Sequence, residues 1–346
     1  MNHQISNRSL NPQYCDCKPR SMILLRYFVL FVCIVFISCR QSQQPDAAVL
    51  DKDEVVVDSL NTPDSPYYFG GEALLLTRFR SLDQFRQVVD VKYLHDLIDT
   101  NASKPGKEQV RLTYRSGDRQ VISILKSGIS QADFIKARKG NFWNKMSLGI
   151  KSPFAVRHRK DLGCIENLGR RKPEVYGIGD AAFYDLAEIM VQHIVNDDLP
   201  RLSERDLGEK GYLNTFNHIT AQAFMTSVFS EEVADFVADV HELYNMPELI
   251  TGNFTVEQIE DFENGPVDNY VDMINNEWGQ ELGKMLAEKH KITRETFWTP
   301  ALLRDYLNDI QSYHSWTFQI GFEPFRTNDE KIIRFVEKIN QVLEVD

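Results

Sequence analysis

The sequence from Tyr176 to the end of the chain repeats apolar residues with a helical period and shows no strand-like alternation. Start signals divide this region: Thr255 opens a capping box, Pro266 stands in a first helical turn, and Thr299 precedes a proline. Helices are predicted over about 180–196, 212–229, 231–245, 256–263, 267–290, 300–312 and 328–343. Because no repeat of fixed period is visible, the sequence predicts an irregular helical bundle rather than a solenoid.

The part of the chain before this region has a mixed pattern. Val110, Leu112 and Tyr114 alternate with polar residues, and Gly117 suits a tight turn before a second apolar stretch, which predicts a β-hairpin. Ser81 has the spacing of a capping box at the start of a helix. The predicted fold is therefore mainly α, with a small α+β module over residues 67–172 and a helical domain over residues 173–346.

The first residues of the chain resemble a targeting signal. An apolar run from Tyr27 to Cys39 follows Arg26. It is shorter than the roughly 20 residues of a bilayer span, but it fits the apolar core of a secretory signal. The Ser38-Cys39 junction resembles the lipoprotein signal of Gram-negative, Bacteroidota-type bacteria. That resemblance implies a signal peptide over residues 1–39 and a lipid, such as palmitate, on Cys39, which would anchor the protein to a membrane.

Residues 40–66 are rich in polar residues and proline, which is typical of a flexible tether. Arg40 stands where an Asp would favour retention in the inner membrane, so the lipoprotein resemblance implies the periplasmic face of the outer membrane. Cys164 is the one cysteine after Cys39, so an internal disulfide is excluded and stability has to come from the core.

Charge is distributed unevenly along a chain whose net charge is −11. The stretch from Lys126 to Lys172 has 12 basic and 3 acidic residues, whereas residues 173–346 have 12 basic and 33 acidic ones. The basic stretch suits either a lipid headgroup or an acidic face of the same chain, and an envelope protein is a further candidate partner. Because the predicted signal places the protein outside the cytoplasm, no nucleic acid is expected as a partner.

Two short motifs resemble functional signatures, but the residues around them do not fit those signatures. Residues 177–182 have the G-x-G-x-x-A spelling of a dinucleotide loop, but Pro173 precedes them where a strand is required, so no cofactor-binding loop is predicted. His241 and Glu242 begin like a zinc-protease helix, but Asn245 stands where the second histidine must lie.

Three predicted helices carry polar residues within apolar surroundings. His218 lies among residues that look buried, and His241 continues a stripe of small residues formed by Ala234 and Ala238. A third helix has a polar and small-residue stripe at i, i+4, i+7 and i+11 with one adjacent asparagine: Asp272, Asn276, Gly279, Gly283 and Asn275. Because glycine and asparagine weaken a helix interior by about 0.5–1 kcal/mol each, this grouping predicts a close helix contact with a polar centre.

These helices resemble a bacterial helical domain family of unknown function. The family pattern places a His at the start of one helix, a Met-Thr pair at its end, a His-Glu pair on the next helix and Asp-x-x-Asn-Asn-x-x-Gly on a third. The matching residues are His218, Met225, Thr226, His241, Glu242, Asp272, Asn275, Asn276 and Gly279. Ser230 and Gln280 depart from the Gly and Arg of the family. The resemblance implies a shared fold and polar centre rather than a reaction.

Two functions fit this polar centre. In the first, the protein is an envelope module for structure or partner binding, and the histidines, Asp272 and the asparagines form a satisfied hydrogen-bond network. In the second, the protein is a hydrolase in which His218, His241 and Asp272 bind a divalent metal and Glu242 activates water, or His241 acts as a base oriented by Asp272. The candidate catalytic residues are His218, His241, Glu242, Asp272, Asn275 and Asn276. Glu242 is expected at the solvent edge of this centre, since it follows His241 by about 100° around the helix.

Overall fold

The structure is a computed structural model that describes residues 71–95 and 108–345, with the backbone alone for His95. The helices of this part are α1 Leu82–Arg86, α2 Gln131–Lys139, α3 Phe142–Lys151, α4 Pro153–Arg157, α5 Arg159–Leu168, α6 Pro173–Tyr176, α7 Phe183–Gln192, α8 Glu204–Leu207, α9 Asn214–Val228, α10 Glu231–Asn245, α11 Val256–Glu260, α12 Pro266–His290, α13 Pro300–Phe318 and α14 Glu330–Leu343. The strands are β1 Val89–His95, β2 Glu108–Ser116 and β3 Arg119–Lys126. The prediction of a mainly α fold, with a small sheet before an irregular bundle, is confirmed. The predicted signal peptide with Cys39 and the predicted tether lie outside the described residues.

The predicted hairpin is the β2–β3 pair. Strand β2 pairs antiparallel with both β1 and β3, so the sheet has the order β1-β2-β3. Val110, Leu112 and Tyr114 face the core as the alternation predicted. Tyr114 contacts Trp278 of α12 edge to face, with ring centroids 6.3 Å apart. The sheet thus buries one face against α12.

Most predicted helices match the observed ones within a few residues, and two differences have a physical cause. The helix predicted to end at 312 continues as α13 to Phe318, because Tyr313 and His314 are fully buried and packing overrides their modest helix propensity. The basic stretch up to Lys172 folds into helices that periodicity did not reveal, α2 to α5. These helices are short, and tertiary contacts define them.

Helix α12 lies at the centre of the bundle and is buried along most of its length. Helix α9 packs against it through two glycines of the predicted small-residue stripe. A Cβ added to Gly283 would lie 2.5 Å from the carbonyl oxygen of Ala223, and one added to Gly279 would lie 2.8 Å from that of Ile219. The prediction that these glycines permit close helix contact is confirmed.

The segment before α1 is bound to α12 by a side chain. The Asn275 side chain accepts a hydrogen bond from the Leu74 backbone N–H and donates one to the Leu74 carbonyl, each 2.8 Å long. The Tyr313 hydroxyl donates to the carbonyl of Gly71 in the same segment. Asn275 therefore replaces the backbone partner that a neighbouring strand would supply.

A buried ion pair fixes the last helix. Lys338 of α14 lies 2.9 Å from a carboxylate oxygen of Asp180 and donates to the carbonyls of Arg170 and Ala181. Asp180 belongs to the loop over residues 177–182, which thus has a structural role before α7 begins. Across the part of the chain that the structure describes, no helix is long and apolar enough to span a membrane.

The contact between α9 and α12 gives a first testable prediction. Gly283→Ala should lower the free energy of unfolding by about 1–3 kcal/mol, because the added methyl group meets backbone that cannot move aside. Urea denaturation measures this change. Gly163→Ala in α5 is the matched control, since nothing lies within 4 Å of its new Cβ, and it should leave stability equal or raise it by up to about 1 kcal/mol. Equal effects of the two substitutions would contradict the close packing.

Candidate functional site

The site lies where α9 and α12 run parallel. Four side-chain pairs join residues 58 positions apart: Lys210 with Asp268, Asn214 with Asp272, His218 with Asn276, and Gln222 with Gln280. A constant offset with a step of four residues means that each pair lies one helical turn beyond the last. We call these four pairs the polar ladder. Their spacing depends on the glycine contacts that follow along the same helix face.

The His218 ring is held on both sides. Its Nδ1 lies 2.9 Å from the amide oxygen of Asn276, and its Nε2 lies 3.2 Å from a carboxylate oxygen of Asp272. With the Asn276 amide assigned so that its oxygen faces the ring, Nδ1 must carry the proton, since that oxygen can only accept. The lone pair of Nε2 then faces an oxygen of Asp272. Two acceptors in this position require a proton or a cation between them.

Glu242 enters the site from α10, which runs antiparallel to α9. Its side chain is buried, with 1% of the residue exposed, and neither carboxylate oxygen has a hydrogen-bond partner within residues 71–95 and 108–345. One ligand atom each from His218, Glu242 and Asp272 lies within 4.8 Å of the others. A buried carboxylate without a partner is strongly unfavourable, so this group has to hold a proton or bind a cation.

The pKa shifts of the buried groups also show an excess of carboxyl groups over positive charges at the site. Burial, followed by the charges of Asp272 and Asp268, raises the pKa of Glu242 well above its ordinary value. Burial and the charge of Asp272 raise the pKa of Asp268 to about 7, and burial also raises that of Asp272. For Lys210, burial alone would lower the pKa, but the hydrogen bond and charge of Asp268 raise it instead. Among the described residues of the site, the ammonium group of Lys210 thus faces three carboxyl groups, and an excess of acid remains.

The positions of His241 and Glu242 correct the sequence analysis. Glu242 was expected at the solvent edge and His241 in the centre, but Glu242 is buried and His241 is exposed. The small-residue stripe of Ala234 and Ala238 continues by four residues to Glu242 rather than by three to His241. Glu242 therefore replaces His241 in the group that could hold a metal.

His241 still lies beside the centre. Its ring centroid is 6.3 Å from that of His218, and its two ring nitrogens lie 3.4 Å from Gln131 Oε1 and 3.2 Å from Asn245 Nδ2. Desolvation by neighbouring atoms lowers the pKa of His241, and the charges of His218 and Lys210 lower it further by smaller amounts. Because the ring is exposed to water, this lowering is limited. His241 is thus a neutral base at pH 7 that can exchange protons with solvent.

The centre opens into a cavity of about 410 Å³. Helices α9 and α10 supply most of its walls, including His218, His241 and Glu242, and Asn276 of α12 lies at its base. The exposed residues Gly169 and His241 mark its mouth. A small molecule can therefore reach the polar centre from solvent.

Asn275 has a different role from the other candidates. Both polar atoms of its side chain are used by the Leu74 backbone, so it stabilises the fold and faces away from His218. Asn276 instead orients His218 through Nδ1. Of the six candidate residues, the structure brings His218, Glu242, Asp272 and Asn276 together, with His241 at the rim.

Four residues of the ladder were missed by sequence reasoning, Lys210, Asn214, Gln222 and Asp268. Asp268 precedes Asp272 by four residues, so extending the α12 stripe by one turn would have found it. On α9, Asn214 precedes His218 by the same step, and Gln222 follows it by that step. Lys210 lies in an irregular turn before α9, where no periodicity could have indicated its pairing with Asp268.

No protein-family model, curated protein or solved structure matches this chain. The resemblance to a helical domain family therefore stays a prediction. Function has to be inferred from the site itself.

The raised carboxyl pKa values predict how stability depends on pH. In chelator-treated protein, the free energy of unfolding should fall by about 1 kcal/mol per carboxyl group between about pH 6.5 and about pH 8. The folded chain keeps protons on Asp268, Asp272 and Glu242 that the unfolded chain has already released, so rising pH favours unfolding. Urea denaturation at several pH values measures this slope.

The titration of His218 lies below this pH range. Burial lowers the pKa of His218, so its contribution is lost only as the pH falls below the ordinary histidine value of about 6.5. Asp272→Asn can keep the hydrogen bond from Asn214 and should flatten the slope. A stability that rises with pH across this window would contradict the assignment of protonated carboxyl groups.

Proposed function

We propose that this protein is a metal-dependent hydrolase whose divalent ion is bound by His218, Glu242 and Asp272. The observation that carries the proposal is the pair of buried Glu242 oxygens, which have no hydrogen-bond partner among the described residues and lie in a group whose ligand atoms, one each from His218, Glu242 and Asp272, are within 4.8 Å of one another. A divalent cation would satisfy all three groups at once. It would also balance the excess of buried acid that Lys210 leaves.

The donor set favours some ions over others. One imidazole nitrogen with two carboxylates suits Zn²⁺, Mn²⁺ or Fe²⁺, whereas Mg²⁺ and Ca²⁺ prefer oxygen ligands alone. Asn276 would act as the outer partner that orients the ligating histidine and fixes its tautomer. Three protein ligands leave at least one coordination position for water, as in hydrolytic sites.

The chemistry follows from this arrangement. A divalent ion held by His218, Glu242 and Asp272 would supply Lewis-acid chemistry and make a water molecule a nucleophile near neutral pH. His241 at the rim would accept the proton that this water loses as it adds to a carbonyl carbon, and the bond between that carbon and its leaving nitrogen or oxygen would break. The leaving group takes the proton from His241, which returns to its neutral form. Hydrolysis of an ester or amide is thus the proposed reaction.

The alternative function, an envelope module without catalysis, is favoured by one observation. The polar ladder is paired from Lys210 to Gln280 and would stabilise a helix contact without any chemistry. That function accounts for Asn214, Asn276 and the two glutamines. It gives no reason for Glu242, since a leucine or glutamine at that position would avoid the cost of a buried, unpaired carboxyl group.

Metal titration tests the proposal. Chelator-treated protein should bind one equivalent of Zn²⁺ or Mn²⁺ by isothermal titration calorimetry at about pH 7.5, with a rise in Tm. Glu242→Gln should weaken binding by at least about 100-fold, because a ligand is lost, and Asn276→Ala by about 10–100-fold, because the histidine loses its orienting partner.

Glu232→Gln is the matched control for these variants. Glu232 lies exposed on α10, outside the proposed ligand set, so its substitution should leave metal affinity within about twofold of wild type. Glu242→Gln should also raise the stability of the metal-free protein at about pH 8, since it removes a buried charge without removing a hydrogen bond. Metal binding that survives Glu242→Gln would refute the site.

The proposed location is the cell envelope, with the chain anchored by lipid on Cys39 at the periplasmic face of the outer membrane. The apolar run before Cys39 and the Ser38-Cys39 junction support this location. The intact mass of protein extracted from membranes should show two or three acyl chains on a polypeptide that begins at Cys39. An unmodified Cys39 in a soluble fraction would contradict the anchor, while leaving the metal site unaffected.

A further inference from the structure

Three helices enclose a groove beside the polar centre. Helix α2 contributes one face, with Phe134 and Ile135, α5 contributes Leu162, and α10 contributes Phe236 and Val240. The volume is about 330 Å³, within the range of small-molecule sites. The walls are mainly aliphatic and aromatic, so the groove suits an apolar ligand.

The groove is elongated along the helices. On α2 its lining residues run from Gln131 to Arg138, which spans about 10 Å at the rise of an α-helix. An extended aliphatic chain fits such a groove better than a compact ring does. The aromatic pair Phe134 and Phe236, with ring centroids 6.3 Å apart, supports its wall.

The rim of the groove is cationic. Arg138 of α2 forms an ion pair with Glu166 of α5 across the rim, so its charge is balanced. Arg170, two residues after the end of α5, lines the groove, is exposed and has no ion pair among the described residues. A negatively charged ligand group would find a free guanidinium there.

The groove and the cavity of the polar centre are neighbours. Ile165, Gly169, Val237 and His241 line both. A ligand that fills the groove therefore has one end at His241, whose ring centroid is 6.3 Å from that of His218. Arg170 follows Gly169 and so stands close to this junction.

We infer that the groove binds the apolar acyl chain of the substrate, that Arg170 binds an anionic group beside the acyl bond, and that this bond reaches the centre formed by His218, Glu242 and Asp272. The substrate class is an acylated anion, meaning an ester or amide of an aliphatic acid that carries a nearby carboxylate or phosphate. Only the position of the cleaved bond rests on the proposed hydrolase function. Binding of the chain in the groove needs no metal.

Binding of fatty acids tests the inference without any reaction. Chelator-treated full-length protein is titrated with hexanoate, octanoate and decanoate by isothermal titration calorimetry. Affinity should rise several-fold for each added pair of carbons, because each methylene group leaves water. Acetate should show no binding. Equal affinity for hexanoate and decanoate would overturn the groove assignment.

Matched variants locate the ligand. Ile135→Trp fills the groove from α2 and should weaken decanoate binding at least about tenfold. Ala132→Trp, on the exposed side of the same helix, should leave it within about twofold. Unchanged binding in Ile135→Trp, with the fold intact by circular dichroism, would place the chain elsewhere and overturn the inference.

Charge and metal are tested separately. Arg170→Gln should weaken decanoate binding about three- to tenfold and leave the affinity for decanol unchanged. Decanol that binds wild type as tightly as decanoate would overturn the anionic part of the inference. Glu242→Gln should lose Zn²⁺ binding but keep decanoate binding, so failure of the metal site and failure of the groove are distinguished.

Discussion

The close parallel contact between α9 and α12 is the constraint on which the rest of this structure depends. Gly279 and Gly283 let the two backbones approach until a single methyl group would touch a carbonyl. At that distance, side chains one turn apart on each helix meet in pairs, which produces the polar ladder from Lys210 to Gln280. Helix α10 then closes the arrangement from the other side and brings Glu242 against His218 and Asp272.

The ladder and Glu242 have opposite energetic consequences. Each hydrogen-bonded pair of the polar ladder offsets the free-energy cost of desolvating its own polar groups, and a satisfied hydrogen bond adds about 1 kcal/mol of stability. Glu242 is buried without a hydrogen-bond partner in the described part of the chain, and its neighbours are acids as well. A fold that holds such a group in place of a leucine gains nothing in stability from it. The proposed metal ion turns this unfavourable residue into a ligand and connects the stability of the bundle with its function.

Much of the fold was predictable, because helix period, capping boxes and the β-hairpin are local signals. The contact of Gly279 and Gly283 and the grouping of His218, Asp272 and Asn276 also followed from stripes on single helices. The choice between His241 and Glu242 did not, since a stripe that reaches Ala238 can continue by three residues or by four. Only the packing angle of α10 decides this. The pairing of Lys210 depends on an irregular turn, and the groove depends on two short helices, α2 and α5, that tertiary contacts define.

Anomalous X-ray scattering from crystals grown with Mn²⁺ or Zn²⁺ tests the metal site most directly. One strong anomalous peak is expected about 2.0–2.2 Å from His218 Nε2 and from one oxygen each of Glu242 and Asp272. Asn276 should keep its contact with Nδ1 of the same ring. The contradicting result is an absent peak together with a direct hydrogen bond between a protonated Glu242 and Asp272, which would make the centre a structural network closed by a proton.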